Sequence, residues 1–226
     1  MQQRNPDAVF AGGAWVFPGG RLDDNDSDPV WQYLVTGMDE ARAHQILGLD
    51  NCTSPYNLDQ IELHEAEHPG HVKALAYWVA ALREAFEEAG LLLTKQSVSQ
   101  QQRDLWREQL LSEKLSWQEI ISSNDLILET GQLHYLSRWV TPPNNTRRYD
   151  TRFFIAKAPP DQEPSHEDFE AIETHWIKPE TALEAGQTGS MRLILPTVVT
   201  LRAMCQDFAD ADELIDHVLA HFTASS

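Results

Sequence analysis

Cysteine is scarce in this chain, with two in 226 residues, Cys52 and Cys205. So few thiols, so far apart, exclude a disulfide-stapled scaffold and point to reduced side chains in a cytosolic protein. Long apolar runs are missing too. No stretch reaches the roughly 18 residues that a bilayer span requires. The start, Met1-Gln-Gln-Arg-Asn-Pro6, has no hydrophobic signal core, so cytoplasm is the expected compartment. Positive charge is in short supply: Lys plus Arg number 17 against 35 Asp plus Glu, a net charge of −18. That balance argues against nucleic-acid and membrane-surface partners. A small anionic substrate would need a local reversal of the field, for which a bound metal ion is the obvious means. There is no internal repeat, no low-complexity tract and no basic helix-turn-helix segment.

What remains is ordinary globular material, 42% hydrophobic and 23% charged. A chain of this length can bury about 70% of its unfolded surface, enough for one domain carrying insertions. A Gly/Pro-punctuated opening, Ala11 to Gly20, holds a strand-like Ala14–Phe17 that runs into a tight turn. Residues 23–70 are acidic and turn-rich, with a helical piece around 29–47. The clearest helix spans about Val72 to Ala89 and ends at Gly90. Residues 97–123 read as helical. Strand-like segments follow at 126–128, 132–140, 151–157 and 172–177, and the chain ends in two helices, 196–208 and 211–222. The class is α/β, with helical insertions about 23–70 and 97–123.

At 100° per residue, Leu75, Val79, Leu82 and Phe86 fall on one narrow stripe of the long helix, which should face the core. Glu84, Glu87 and Glu88 fall within an arc of about 100° on the other side. An amphipathic helix with a solvated acidic face is the ordinary explanation. Here it carries two penalties. Like charges at i, i+3 and i+4 repel by roughly 0.2–0.5 kcal/mol per close pair. Carboxylates in the last turns also oppose the helix dipole, at about 0.3–1 kcal/mol each. A local rule broken without visible compensation marks a candidate site. Three oxygen donors on one face suit a hard cation, Mg²⁺ or Mn²⁺, that keeps several waters and binds phosphate.

The segment Arg83-Glu84-Ala85-Phe86-Glu87-Glu88-Ala89-Gly90-Leu91 resembles the second half of the Nudix box, G-x5-E-x7-R-E-U-x-E-E-x-G-U, with Ala85 a small choice for the apolar position U. Phe17-Pro18-Gly19-Gly20 is similar to the start of that motif. Arg83 follows Gly20 by 63 positions where an uninterrupted box has 14, so about 49 residues are inserted. The position eight before Arg83, where the box carries Glu, is Leu75. Asp23, Asp24 and Asp26 are the candidates to replace it as the partner of Arg83. The split box resembles the coenzyme A diphosphatase branch of the Nudix hydrolase superfamily. So do Arg138-Trp-Val-Thr-Pro142, Arg148-Tyr-Asp-Thr-Arg-Phe-Phe154, Trp176-Ile-Lys-Pro179 and Leu195-Pro-Thr197.

The resemblance implies a Nudix fold, an α/β/α sandwich around a mixed sheet. It implies Glu84, Glu87 and Glu88 as metal ligands with the Gly20 carbonyl as a further one, and Arg83 as the group that orients them. It implies a further Glu about six residues before a Trp as base or extra ligand. Glu170 stands six before Trp176, with Glu167 and Glu173 near enough to compete. Arg147, Arg148 and Arg152 form the densest basic cluster, and Arg148 or Arg147 is the candidate contact for a substrate phosphate. The expected substrate is a small nucleoside diphosphate linked to another moiety. Coenzyme A or acyl-coenzyme A is favoured, giving adenosine 3′,5′-bisphosphate and phosphopantetheine. ADP-ribose, NADH or another dinucleotide is the alternative, and a non-catalytic nucleotide-sensing domain is the alternative from another class. The insertions are the expected places for substrate selection or for homodimer contacts.

Two features stand apart. His64-Glu65-Ala66-Glu67-His68 fits the zinc-protease pattern H-E-x-x-H, but Pro69-Gly70 would stop the helix that pattern needs, so solvated residues are expected there. Nudix domains also usually carry a strand with an Arg-rich end before the residues matching Asn5-Pro6-Asp7. Only Met1–Arg4 precede them here, so a truncated strand, with the natural chain starting upstream, is expected. Trp31, Trp78, Trp106 and Trp117 are read as core.

Overall fold

The computed structural model describes residues 1–8, 11–48, 73–141, 149–165, 171–205, 208 and 211–223. Strand β1 (Gln2–Arg4) and strand β2 (Trp15–Val16) are followed by a 3-10 turn over Asp24–Ser27, then α1 (Trp31–Leu34) and α2 (Glu40–Gly48). Next come α3 (Ala76–Ala89), α4 (Gln100–Leu111) and α5 (Trp117–Ser123). A 3-10 turn over Thr130–Gln132 leads into β3 (His134–Val140) and β4 (Asp150–Ile155). The chain continues through β5 (Ala171–Thr174), α6 (Pro179–Thr188), α7 (Leu195–Met204) and α8 (Ala211–Thr223).

The strands form two small antiparallel sheets, one in the order β2-β1-β5 and the other the β3-β4 hairpin. Parallel contact is confined, among the described residues, to single bridges, Trp15 with Leu193 and Val35 with Leu128. The expected strand at 126–128 is only those bridges at Leu128, one to Val35 and one to Thr94. Strand β1 is short but central, with Gln2 opposite Val16 on one side and Thr174 on the other.

Helix α3 runs through the core, as its apolar stripe requires. Leu75, Val79, Leu82 and Phe86 are buried, together with Trp31, Trp78, Trp106 and Trp117. Phe86 packs on Trp117 of α5, and Trp78 meets Phe154 of β4 edge-on. The Trp78 Nε1–H donates to the Leu133 carbonyl at 3.0 Å, which lets a polar edge be buried without penalty. The segment 97–123 is two helices, because Glu113 takes a left-handed φ of 56° and Ser116 opens α5 with a capping box to Glu119. Leu128, Leu126, Ile120 and Ile121 complete the cluster.

Candidate metal centre

The acidic face of α3 is not solvated. Glu84 and Glu88 are buried, and Arg83 lies between carboxylates with only 6% of its surface exposed. Its Nη1 donates to Glu84 Oε1 at 2.9 Å and to Glu87 Oε2 at 3.0 Å. Its Nε and Nη2 grip Asp26 at 3.1 and 3.0 Å, and Nη2 also reaches the Arg21 carbonyl at 2.7 Å. Of the three loop aspartates considered as its partner, Asp26 takes the role, while Asp23 and Asp24 are exposed. Asp26 is pre-positioned by its own turn, where its Oδ2 accepts the Asp23 amide at 2.8 Å. Trp31 donates its Nε1–H to the Asn25 carbonyl at 2.7 Å and ties the same turn to the core.

Burial works against charge on the Arg83 guanidinium, yet Asp26, Glu84 and Glu87 outweigh it and raise its pKa further above its ordinary value. Burial likewise pushes the Glu87 carboxyl up. Arg83 pulls it down, and Asp26 and Asp23 push it up again. The carboxylates therefore outnumber the cation that braces them.

The turn after β2 approaches the same face. The Gly19 amide donates to Glu88 Oε2 at 2.7 Å. Gly20 lies so close to Glu84 that a β-carbon there would come within 2.4 Å of the Glu84 carboxylate and force that side chain, held by Arg83, to move. Phe17, just before this turn, meets Phe153 of β4 edge-on. Glu84, Glu87, Glu88, Arg83 and Gly20, separated by an insertion in sequence, are thus brought together.

The end of α3 carries groups that sequence reading did not find. Gly90 closes the helix in the left-handed region at φ 68°, its amide donating to the Phe86 carbonyl at 2.9 Å. Arg107, from α4, donates Nε to the Glu87 carbonyl and Nη2 to the Glu88 carbonyl, both at 2.8 Å. Gln2 of β1 adds its Nε2 to the Glu88 carbonyl at 2.7 Å. At the other end, Glu40 of α2 accepts the Ala74 and Leu75 amides at 2.8 and 3.0 Å. The broken helix rule is therefore compensated, by Arg83 across the side chains and by Arg107 at the negative end of the dipole. The dipole argument called for a cation at that end, but only the fold brings the one on α4 there.

Glu170 and Glu167, Arg147 and Arg148, Cys52 and the segment His64–His68 lie outside the described residues. Glu173 is on β5, exposed, with its Oε1 at 2.5 Å from His175 Nε2. Arg152 packs its guanidinium 4.0 Å from the centroid of the Tyr77 ring and meets Asp150 at 3.3 Å, which Arg138 holds from the other side at 2.7 Å. Cys205 is a free thiol. No helix among the described residues is long and apolar enough to cross a membrane.

Among the described residues no group of three His, Cys, Asp or Glu is gathered as a metal cluster. The acidic triad is engaged by Arg83 and the Gly19 amide instead. The donor set nevertheless fits a hard divalent cation. Its oxygens come from carboxylates one turn apart on a rigid helix, facing a glycine turn that leaves Glu84 room.

A family model for the NUDT19 Nudix domain matches residues 1–204. The chain is 28% identical to the acyl-coenzyme A diphosphatase NUDT19 of Homo sapiens and 26% identical to that of Xenopus laevis. Both matches span 95% of this chain, with 62% and 61% of the relatives' own length covered. A crystal structure of a Nudix hydrolase from Alicyclobacillus acidocaldarius superposes with a TM-score of 0.61 at 25% identity, covering 89% of this chain and 80% of that one. Nudix hydrolases generally use divalent metals, which agrees with the chemistry of the donor set.

Proposed function

The chain belongs to the NUDT19 Nudix domain family, and on that premise we propose that it is a pyrophosphohydrolase that cleaves the diphosphate of coenzyme A or acyl-coenzyme A. The products are adenosine 3′,5′-bisphosphate and a phosphopantetheine. The single observation that carries the reading is the convergence of Glu84, Glu87 and Glu88 with the Gly19-Gly20 turn, braced by Arg83. The named relatives supply the substrate class.

Glu84, Glu87, Glu88 and the Gly20 carbonyl would hold Mg²⁺ or Mn²⁺. When bound, the cation neutralises the diphosphate and makes a water acidic enough to react near neutral pH. Arg83 orients Glu84 and Glu87 from one side and is itself fixed by Asp26, so the ligands are set before substrate arrives. Glu170 is our assignment for the base that takes the proton from the attacking water. The water oxygen bonds to phosphorus in line, the anhydride P–O bond breaks, and a phosphate monoester leaves on each side. Arg148 or Arg147 is assigned to a substrate phosphate.

The test is product analysis by HPLC with mass detection after incubation with Mg²⁺ or Mn²⁺. The panel is coenzyme A, acyl-coenzyme A, ADP-ribose, NADH and diadenosine polyphosphates, each with wild type and Glu87→Gln. Release of adenosine 3′,5′-bisphosphate from coenzyme A, reduced at least about 100-fold in the variant, is the expected result. Turnover of another diphosphate alone would overturn the substrate and keep the site. Nucleotide binding without hydrolysis of any of them would make the domain a sensor.

A further inference from the structure

Arg107 lies on α4, outside the box motif, yet its guanidinium is committed to the far end of α3. Nε and Nη2 hold the carbonyls of Glu87 and Glu88, while Nη1 donates to Ser165 Oγ at 2.8 Å and Nη2 to the Ser165 carbonyl at 3.1 Å. The Ser165 amide returns to the Ala89 carbonyl at 3.0 Å. These helix carbonyls belong to the last turn, where intrahelical donors run out. The turn carrying two of the three carboxylates is thereby held from β1 by Gln2, from α4 by Arg107 and from the segment before β5 by Ser165.

The geometry points to Arg107 as a positioning residue for Glu87 and Glu88. It fixes the last turn of α3 in the orientation that the two carboxylates need to hold a divalent cation. The inference rests on the metal-site reading above. Its physical basis is that a ligand's affinity depends on how firmly its backbone is set, and supporting groups behind metal ligands are commonly worth about 10–100-fold in metal affinity or activity. A planar fork is required, because one side chain bonds two successive helix carbonyls and a third residue at once. A lysine would supply the charge without that geometry.

Arg103, one turn earlier on α4, provides the contrast. It too is buried, and its bonds run to the Val98 carbonyl at 2.6 Å and to Gln100, at the start of its own helix. None of these bonds reaches the end of α3, so its loss is expected to weaken α4 alone.

The experiment compares full-length wild type, Arg107→Gln, Arg107→Lys and Arg103→Gln. Free Mn²⁺ is titrated by electron paramagnetic resonance, kcat and KM are measured on whichever diphosphate the wild type hydrolyses, and Tm is recorded for each protein. Arg107→Gln is expected to weaken Mn²⁺ binding and to lower kcat by about tenfold or more, with KM within about twofold. Arg107→Lys should recover less than half of that loss on a logarithmic scale. Arg103→Gln should leave Mn²⁺ affinity and kcat within about twofold at a comparable loss of Tm. Equal losses in the Arg103 and Arg107 variants at equal Tm would overturn the inference, as would wild-type Mn²⁺ affinity in Arg107→Gln. If Arg107→Gln does not fold, the Lys variant decides by the same comparison. Mn²⁺ binding without hydrolysis would end the functional reading alone, since the Mn²⁺ titrations still judge Arg107. A wild type that binds no Mn²⁺ would end both.

Discussion

Asp26 is the residue on which the split motif turns. A buried guanidinium needs a buried anion opposite it, and the helix position that normally offers one is Leu75, which faces the core instead. Asp26 supplies two oxygens to Arg83 from a turn 57 residues upstream. Removing one partner of a buried pair leaves the other charge uncompensated, at a typical cost of about 3–5 kcal/mol. Glu84, Glu87 and the Arg21 carbonyl still hold Arg83, so the lower end applies. Asp26→Ala should therefore cost about 3 kcal/mol in urea unfolding, while Asp24→Asn, exposed and outside the network, should stay within about 0.5 kcal/mol. Equal losses in the two variants would show that Arg83 does not depend on Asp26. The triad itself was legible, because a 100° periodicity fixes which carboxylates share a face. The choice among Asp23, Asp24 and Asp26 was not, because an inserted turn has no period to read.

Helix α3 owes its position to groups that no local pattern announces. Its N-cap, Leu75, offers no side-chain cap, and Glu40 of α2, 34 residues before Ala74, takes the Ala74 and Leu75 amides that lead into the first turn. Its last carbonyls take Arg107 and Gln2. An anion at the start and a cation at the end both complement the dipole, so helices of the two insertions act as external caps. Glu40→Ala should cost about 1 kcal/mol by urea unfolding and speed hydrogen exchange at Ala74 and Leu75, with the Gly90 and Leu91 amides unaffected. An unchanged exchange rate at Ala74 would mean that water serves that end as well as Glu40 does. The break between α4 and α5 was readable in principle, since Ser116-Trp-Gln-Glu119 is a capping-box sequence. Strand existence was mostly legible from alternation, but pairing was not. Segment 126–128 reads as a strand, yet its backbone is shared between single bridges to Val35 and Thr94.

For the molecule as a whole, a net charge of −18 leaves a small part of its acid excess half-buried around α3. Asp26, Glu84 and Glu87 meet one guanidinium, with Glu88 beside them on α3. Burial first, and then the charges of Asp26 and Asp23, push the Glu87 carboxyl up against the pull of Arg83. A divalent cation seated among them should act as a missing structural element as well as a catalytic one. Anything that binds the folded form alone stabilises it, by about 2.7 kcal/mol at a ligand concentration of 100 Kd. For a chain of this size that corresponds to a rise in Tm of about 5–11 °C. Mg²⁺ or Mn²⁺ should give this rise, and chelation should reverse it. Screening of the overall acidity also stabilises, so NaCl of equal ionic strength is the necessary comparison, and it should give clearly less. Replacing Glu84 and Glu88 together with Gln separates the two effects, because it removes two of 35 acids but the core of the ligand set. In that variant the divalent and monovalent salts should give the same shift. A divalent-specific rise that persisted there would place the cation elsewhere on the acidic surface and leave the triad as a buried ion network held by Arg83.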